Sequence, residues 1–393
     1  MKKMPDYIGV AAFGIKMGIV VAGCDLVAMV ADALAKCHDD GLLDDYDTIC
    51  LTESVVARAQ NNYVTTDDIA LEVRRKLNLK AGGRLGVLFP LLSRNRFSLI
   101  LKGLAKAVPG SEVVVQLAYP TDEVGNIILP QNVADLLGKK HGEAISVAEI
   151  GSHRTRHPIT GVDYIDLYEK VIMAAGARPY IFLCNDPLEI TKYNLDGVVV
   201  ANVHQRQAVK EKLEAAGQNC VTLQELCREN NGGSWSEWGL LGSNMSSEDK
   251  LKLAPRQADE LANRLQALVA EKFGKLVEVI IYGDGAYQDP STGIYELADP
   301  QPAFGMTKGL AGRYRRGVKY KYLVDELYYK GKSVTDIEKI LEMRKKESLE
   351  PDSIVTEGTT PRRVEDLMAS LADLVSGSAD AGTPLVIIKG FIS

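Results

Sequence analysis

Residues 166–223 alternate between helix-like and strand-like segments, and no other pattern in the chain narrows the choice of fold as far. Helical patterns at 166–177 and 205–217 alternate with apolar, strand-like runs at 179–184, 196–203 and 220–223. Short turns separate these segments. Such alternation is typical of βαβ units, in which helices connect parallel strands. The sequence therefore predicts an α/β fold with a parallel sheet in the middle of the chain.

The first third of the chain follows a similar pattern. Residues 25–37 and 67–77 have apolar side chains at helical spacing, and the runs 48–52, 86–92 and 113–118 are strand-like. Polar side chains cluster where several of these strands end. The tail adds a predicted helix and a final strand.

Size and charge limit the functions that need to be considered. At 393 residues the chain is longer than one ordinary domain, so two or three domains are expected. Hydrophobic residues make up 46% and charged residues 25%, as in globular proteins. The formal net charge of −6 argues against a nucleic-acid or anionic-membrane binder, because phosphate binding relies on clustered Lys and Arg.

No targeting or membrane segment is predicted. The apolar stretch at 8–31 is broken by Lys16, Asp25 and several glycines, unlike the core of a signal peptide. No run of about 18 apolar residues without charge occurs, so no membrane span is expected. The six cysteines lack zinc-site spacing and are predicted to be buried or idle thiols. We therefore expect a cytoplasmic protein.

Two acidic residues follow the predicted strand 113–118. Asp122 and Glu123 lie between this strand and a glycine turn. Such carboxylates suit Mg²⁺, which proteins usually hold with one or two carboxylates together with nucleotide phosphates. The alternative is a turn that ends the strand and leaves both acids solvated. The pattern leaves both interpretations open.

Three other polar segments are candidates for substrate or metal binding. Residues 93–97 carry two arginines and an amide, and arginine forks bind carboxylate or phosphate. The segment 151–168 combines histidine, arginine and aspartate, and 283–300 is acidic and rich in turn formers. Each has a plainer interpretation: a solvated helix start, a polar surface turn, or a loop that resembles a calcium site without its ligand spacing. The candidate residues are Arg94, Asn95, Arg96, His153, Arg154, Arg156, Asp163, Asp284 and Asp289.

Three segments, taken in order, resemble the coenzyme F-420:L-glutamate ligase (γ-glutamyl ligase) family. Near the N-terminus these are GIKMGIVVAGCDL and DTICLTESVVARAQ, followed in the chain by VVVQLAYPTDEVGN and, at the end, by LADLVSGSADAGTPLVIIKGF. The resemblance implies a long form of the family with a central insertion. It divides the chain into a nucleotide and metal domain of 1–130 plus 355–393, an inserted α/β domain of 150–282, and a segment of 283–354 that completes the cleft.

The resemblance also implies roles for individual residues. Asp122 and Glu123 match the family's metal-binding pair, with Glu123 in place of a hydroxyl residue. Arg58 replaces a lysine and keeps the cation, whereas Ser378 replaces a metal-ligating glutamine. Asn95 is the best match to an earlier asparagine of the family, which implies a catalytic role for Arg94, Asn95 and Arg96. The implied nucleotide-binding residues are Phe13, Gly14, Ile15, Lys16, Glu53, Ser54, Arg58, Gly377 and Ser378.

The reaction implied by the resemblance is amide formation. A carboxylate would be phosphorylated by GTP or ATP with Mg²⁺ or Mn²⁺, and the acyl phosphate would be attacked by an amino acid, in the family L-glutamate. A homodimer is implied as well. Two alternatives stay open: a nucleotide- or metabolite-binding regulator on the same scaffold, and a phosphoryl-transfer enzyme that uses Asp284 and Asp289.

Overall fold

The computed structural model describes residues 7–140, 142–156, 160–284, 287–288, 295–296, 299–315, 318–346, 362–377 and 382–392. The strands of this part of the chain are β1 (Ala11–Ile15), β2 (Thr48–Thr52), β3 (Tyr63–Thr65), β4 (Leu85–Leu88), β5 (Glu112–Leu117), β6 (Ile145–Ser146), β7 (Arg178–Leu183), β8 (Gly197–Val200), β9 (Cys220–Thr222), β10 (Asn244–Met245), β11 (Lys250–Lys252), β12 (Glu278–Tyr282), β13 (Tyr287–Gln288), β14 (Tyr295–Glu296), β15 (Ala303–Met306), β16 (Tyr314–Arg315), β17 (Arg362–Arg363) and β18 (Leu385–Lys389).

The helices of the described part are α1 (Leu26–Asp39), α2 (Glu53–Ala59), α3 (Thr66–Leu77), α4 (Phe97–Lys106), α5 (Val133–Leu136), α6 (Val147–Ile150), α7 (Tyr164–Ala174), α8 (Arg206–Ala215), α9 (Ala258–Phe273), α10 (Tyr320–Tyr329), α11 (Val334–Lys346) and α12 (Val364–Ala372). Strands and helices alternate along much of the chain, and several strand pairs are parallel. The predicted α/β class is confirmed.

The first sheet joins the two ends of the chain. Its strand order is β1-β18-β2-β12-β15, so the last strand lies between two strands from the first sixty residues. Side chains alternate between its faces, as expected for strands. Ile49 and Ile281 pack with α1 and α9 on one face, whereas Cys50 and Ile280 pack with α12 on the other. Helices therefore cover both faces of this sheet.

The second sheet has the order β6-β7-β5-β4-β8-β9, and all its strands except β6 are parallel. In chain order the five parallel strands run 3-2-1-4-5 across the sheet, which is a doubly wound arrangement. Helices α3, α4 and α7 pack on one face and α8 on the other. The parallel sheet predicted for residues 166–223 is present, and it extends to strands earlier in the chain.

This pairing differs from the domain division expected from the resemblance. Strands β4 and β5 were assigned to the first domain, but they pair with β8 and β7 of the predicted insertion. Strand β12 was assigned to the insertion, but it pairs with β2 of the first sheet. The reason is that neighbouring apolar strands pair wherever their edges meet, which a boundary drawn in sequence does not record. Whether the two sheets fold as separate domains stays a prediction.

Two further observations concern the rest of the described chain. Helices α10 and α11 form a hairpin with its own small apolar cluster of Leu323, Ile337 and Leu341. All six cysteines are free and five are buried, in keeping with the prediction of buried thiols. None of the described helices is long and apolar enough to cross a membrane.

Candidate functional site

A polar cleft of about 810 Å³ lies where strand ends of the two sheets meet. The parallel strands β2 and β12 both end at it, with Thr52 and Gly283 in its wall, and the loop after β4 forms the opposite side. Carboxyl ends of parallel strands are where α/β proteins commonly bind ligands. The described residues that line the cleft are Thr52, Glu53, Ser54, Arg58, Tyr63, Leu91, Leu92, Ser93, Asn95, Arg96, Val124, Asn126, Tyr164, Asn244, Met245, Ser246, Lys252, Gly283, Asp284 and Asp373.

Arg96 connects the two sides of the cleft through an ion-pair network. Its Nη1 donates to Asp299 Oδ1 at 2.7 Å, and its Nη2 pairs with Asp284. Asp299 also accepts a hydrogen bond from the backbone N–H of Asp284 at 2.8 Å. Burial, together with the neighbouring Asp299, raises the pKa of Asp284 to about 7, although Arg96 opposes this. Burial lowers the pKa of Arg96, but Asp299 and Asp284 outweigh burial, so Arg96 stays charged.

Lys252 and Glu53 form a second ion pair in the cleft wall. Lys252 Nζ donates to Glu53 Oε1 at 2.8 Å and to Oε2 at 2.7 Å, and each side chain is only 7% exposed. Glu53 begins α2 directly after β2, whereas Lys252 ends β11 on the opposite side. Burial raises the pKa of Glu53, and Lys252 works against that rise.

The charges are confined to one side of the cleft. The acidic wall, which we define as residues 52–58, 283–284 and 373, carries three carboxylates and Arg58. The neutral wall comprises the described lining residues between 91 and 246 apart from Arg96, and it consists of apolar, hydroxyl and amide side chains. Arg96 and Lys252 lie between the two walls, each paired with an acid near β2 or β12. A ligand in the cleft therefore meets charge at one end and uncharged groups at the other.

The carboxylates of Asp122 and Glu123 are engaged within the chain. Asp122 is buried and accepts from the backbone N–H groups of Leu92, Val124 and Asn126, and from the Asn126 side-chain amide, at 2.8–3.1 Å. Burial raises its pKa, and these hydrogen bonds lower it. The contacts stabilise the turn after β5.

Glu123 accepts hydrogen bonds from three consecutive backbone N–H groups before α8, those of residues 203, 204 and 205, at 2.6–2.9 Å. An acid at a helix N-terminus satisfies otherwise unpaired donors and the helix dipole. Both acids thus have roles in the fold, and metal binding by this pair stays a prediction.

The other predicted residues are spread over the molecule. Phe13–Lys16 lie on and just after the edge strand β1, and Gly377 ends the helical turn after α12, outside the cleft lining. His153 lies in a short helical turn, Arg154 pairs with Asp163 at 2.9 Å, and Arg156 is exposed. Arg94 is also exposed and does not line the cleft. Ser378 and Asp289 lie outside the described residues.

The structure brings six of the predicted site residues together: Glu53, Ser54, Arg58, Asn95, Arg96 and Asp284. Sequence reasoning missed Lys252, Asp373, Asn244, Met245 and Tyr164. The available signal was the long polar loop at 230–249, because long loops without secondary structure are often functional. Asn244 and Met245 come from that loop, and Lys252 follows it.

The acidic wall can supply oxygen ligands for a divalent cation, but only a few. In the described ranges, no three His, Cys, Asp or Glu side chains converge on a point that could hold a metal ion. Mg²⁺ is commonly bound by one or two carboxylates, with phosphate and water oxygens completing the coordination. Glu53 and Asp284, at the ends of adjacent parallel strands, fit that requirement.

The comparison with known families covers most of the chain. A family model described as F420-0:gamma-glutamyl ligase matches residues 14–390. No curated protein matches the chain. The family match includes both chain ends and the whole middle region, and so spans every residue of the cleft. The protein therefore belongs to the F420-0:gamma-glutamyl ligase family, a family of ligases whose small-molecule substrates include glutamate.

Proposed function

We propose that the protein joins L-glutamate to a small-molecule carboxylate through an acyl phosphate, with a nucleoside triphosphate and a divalent cation, in the cleft between the two sheets. The observation that carries this proposal is the arrangement of Arg96 and Lys252 beside the acids Glu53 and Asp284 at the ends of β2 and β12. Cations that neutralise phosphate and acids that hold a metal are what phosphoryl transfer requires.

The reaction has two steps. In the first, a carboxylate oxygen of the acceptor attacks the terminal phosphorus of the nucleotide, the bond to the bridging oxygen breaks, and the nucleoside diphosphate leaves. In the second, the glutamate amine attacks the acyl carbon, the C–O bond to phosphate breaks, and inorganic phosphate leaves while the amine loses a proton. The phosphorylation is needed because a carboxylate is a poor electrophile.

Charged side chains in the cleft have separate roles in these steps. Arg96 and Lys252 would neutralise the negative charge on the transferred phosphoryl group, where preorganised cations stabilise the transition state. Glu53 and Asp284 would hold Mg²⁺ or Mn²⁺, which when bound neutralises phosphate oxygens.

Arg58 is suited to bind a substrate carboxylate or phosphate. It is exposed, lines the cleft, and makes no hydrogen bond or ion pair with the residues that the structure describes. A free guanidinium can form paired hydrogen bonds with a carboxylate or phosphate. We assign it to the carboxylate of glutamate.

Glutamate-dependent phosphate release tests the proposal. The purified protein would be incubated with GTP or ATP, Mg²⁺ or Mn²⁺, L-glutamate and a library of carboxylates. Release that needs all four components supports the ligase. A nucleotide that raises the melting temperature without metal, and without any turnover, would instead support a binding regulator, because a ligand bound only by the native state stabilises it.

Matched variants assign the side chains. Arg58→Gln is expected to raise the KM for glutamate, whereas Arg228→Gln, at an exposed arginine outside the cleft lining, should leave it unchanged. Asp284→Asn is expected to lose metal-dependent nucleotide binding. Asp166→Asn, at an exposed acid on α7, is its control. Loss of metal dependence in Asp122→Asn, with Asp284→Asn unaffected, would move the metal to the turn after β5.

A further inference from the structure

The neutral wall contains an amide pair with unused hydrogen-bonding groups. Asn95 Nδ2 donates to Asn244 Oδ1 at 3.2 Å. Within the described residues, no other partner is found for the Asn95 carbonyl oxygen or for the Asn244 amide nitrogen. If both amides were turned over, the pair would still leave one donor and one acceptor, since each amide carries both. The pair therefore presents a donor beside an acceptor to the cleft.

Apolar side chains surround this pair. Leu91, Val124, Tyr164 and Met245 line the same wall, and Met245 also joins the pair through its backbone, whose N–H donates to the Asn95 carbonyl at 2.8 Å. Ligand pockets of this kind combine apolar surface with a few placed polar groups. Apolar side chains favour flat ring surfaces, and the amides select the edge of the ring.

The charge distribution excludes an ionic group here. The only charged side chains that reach the cleft from this side are Arg96 and Lys252, among the residues that the structure describes, and both are paired with acids of the opposite side. An anionic or cationic group beside Leu91 and Val124 would lose water without gaining an opposite charge, which is costly.

We infer that the neutral wall binds an uncharged, planar group that carries a hydrogen-bond donor next to an acceptor. The inference rests on the proposed function, because it takes the cleft as the substrate site. Two sources share this chemistry: the base of the nucleotide and a ring on the acceptor carboxylate. The charged end of the cleft then receives the phosphates and the carboxylate that reacts.

Binding measurements without turnover test the inference. The probes are guanosine and 4-carbamoylbenzoate, which carry a neutral donor–acceptor edge, and 4-sulfobenzoate, which carries an anionic group in its place. We expect at least one neutral probe to bind about tenfold more tightly than 4-sulfobenzoate, since a group whose polar contacts fail loses a factor of roughly ten. Met245→Lys and Met245→Glu should each weaken the neutral probe about fivefold or more, because either charge disturbs a neutral site.

The matched controls are Met173→Lys and Met173→Glu, at an exposed methionine of α7 outside the cleft lining, which should leave binding unchanged. If the Met245 variants weaken GTP but not inorganic tripolyphosphate, the base is the occupant. If they weaken 4-carbamoylbenzoate and leave GTP unchanged, the acceptor ring is.

Three results would overturn the inference: tightest binding of 4-sulfobenzoate with a further gain in Met245→Lys, no binding of any probe, or binding that the Met245 variants do not alter. None of these depends on glutamate-dependent phosphate release, so the inference and the proposed ligase activity fail independently.

Discussion

The ion pair between Lys252 and Glu53 gives the most direct quantitative test of the cleft geometry. Both side chains are 7% exposed, and the ammonium nitrogen lies 2.7 and 2.8 Å from the carboxylate oxygens. At these distances and an effective dielectric constant of about 20, the attraction is about 6 kcal/mol before desolvation is subtracted. Removing one partner leaves the other charge buried and unpaired, which typically costs about 3–5 kcal/mol.

A double-mutant cycle separates this pair energy from other effects. Lys252→Met and Glu53→Gln should each lower the free energy of unfolding by about 3 kcal/mol or more, while the double variant should lose less than either, since no unpaired charge remains. The assay is urea unfolding followed by tryptophan fluorescence, without nucleotide or metal.

The exposed pair Lys170–Asp166 is the matched control. Its N–O distance is also 2.7 Å, but its side chains are 68% and 49% exposed, so we expect no measurable coupling. Single-variant losses below about 1 kcal/mol for the cleft pair, or losses that simply add, would refute the buried geometry.

Three further outcomes are expected. Glu123→Gln should lower the free energy of unfolding by roughly 1–2 kcal/mol, because a charged cap of α8 becomes neutral, and should leave metal-dependent nucleotide binding intact; loss of that binding with unchanged stability would favour the metal role. Because the folded-state pKa of Asp284 is raised to about 7, its contribution to stability is present below the unfolded pKa and is lost as pH rises through 7, so in metal-free buffer the melting temperature of Asp284→Asn should gain on that of the unmodified protein between pH 5 and 8, and a constant difference would contradict this. Gly14→Ala should destabilise the protein by about 1–3 kcal/mol, because an added Cβ would lie 2.7 Å from Thr383 Oγ1, and Thr383→Ala should partly restore it in thermal unfolding; no loss in the single variant would show that the strand can shift.

Local patterns were sufficient to predict most helices and strands of the described chain. The predicted strand 48–52 coincides with β2, and the predicted helix 67–77 differs from α3 by one residue. The start of α3 is encoded by neighbours: Thr65 and Asp68 cap it through reciprocal hydrogen bonds. Such signals act within one turn of chain, so they can be found without knowledge of the fold.

Strand pairing was beyond those local signals. An apolar run such as β4 is equally suited to either sheet, and its place was decided by contacts with β5 and β8, the latter about a hundred residues later in the chain. The domain boundaries predicted from the resemblance therefore cut through a continuous sheet.

The site shows the same division between local and distant information. Polar residues at strand ends, such as Glu53 and Asp284, were recognised because carboxyl ends of strands commonly carry function. Lys252 was not, since it lies 199 residues from Glu53 and nothing in its own neighbourhood indicates a buried partner. Glu123 was recognised as functional, but its carboxylate contacts the N-terminus of α8, eighty residues away. Residue type and local spacing thus limit what a side chain can do, whereas its protonation, burial and partner depend on which distant segments fold against it.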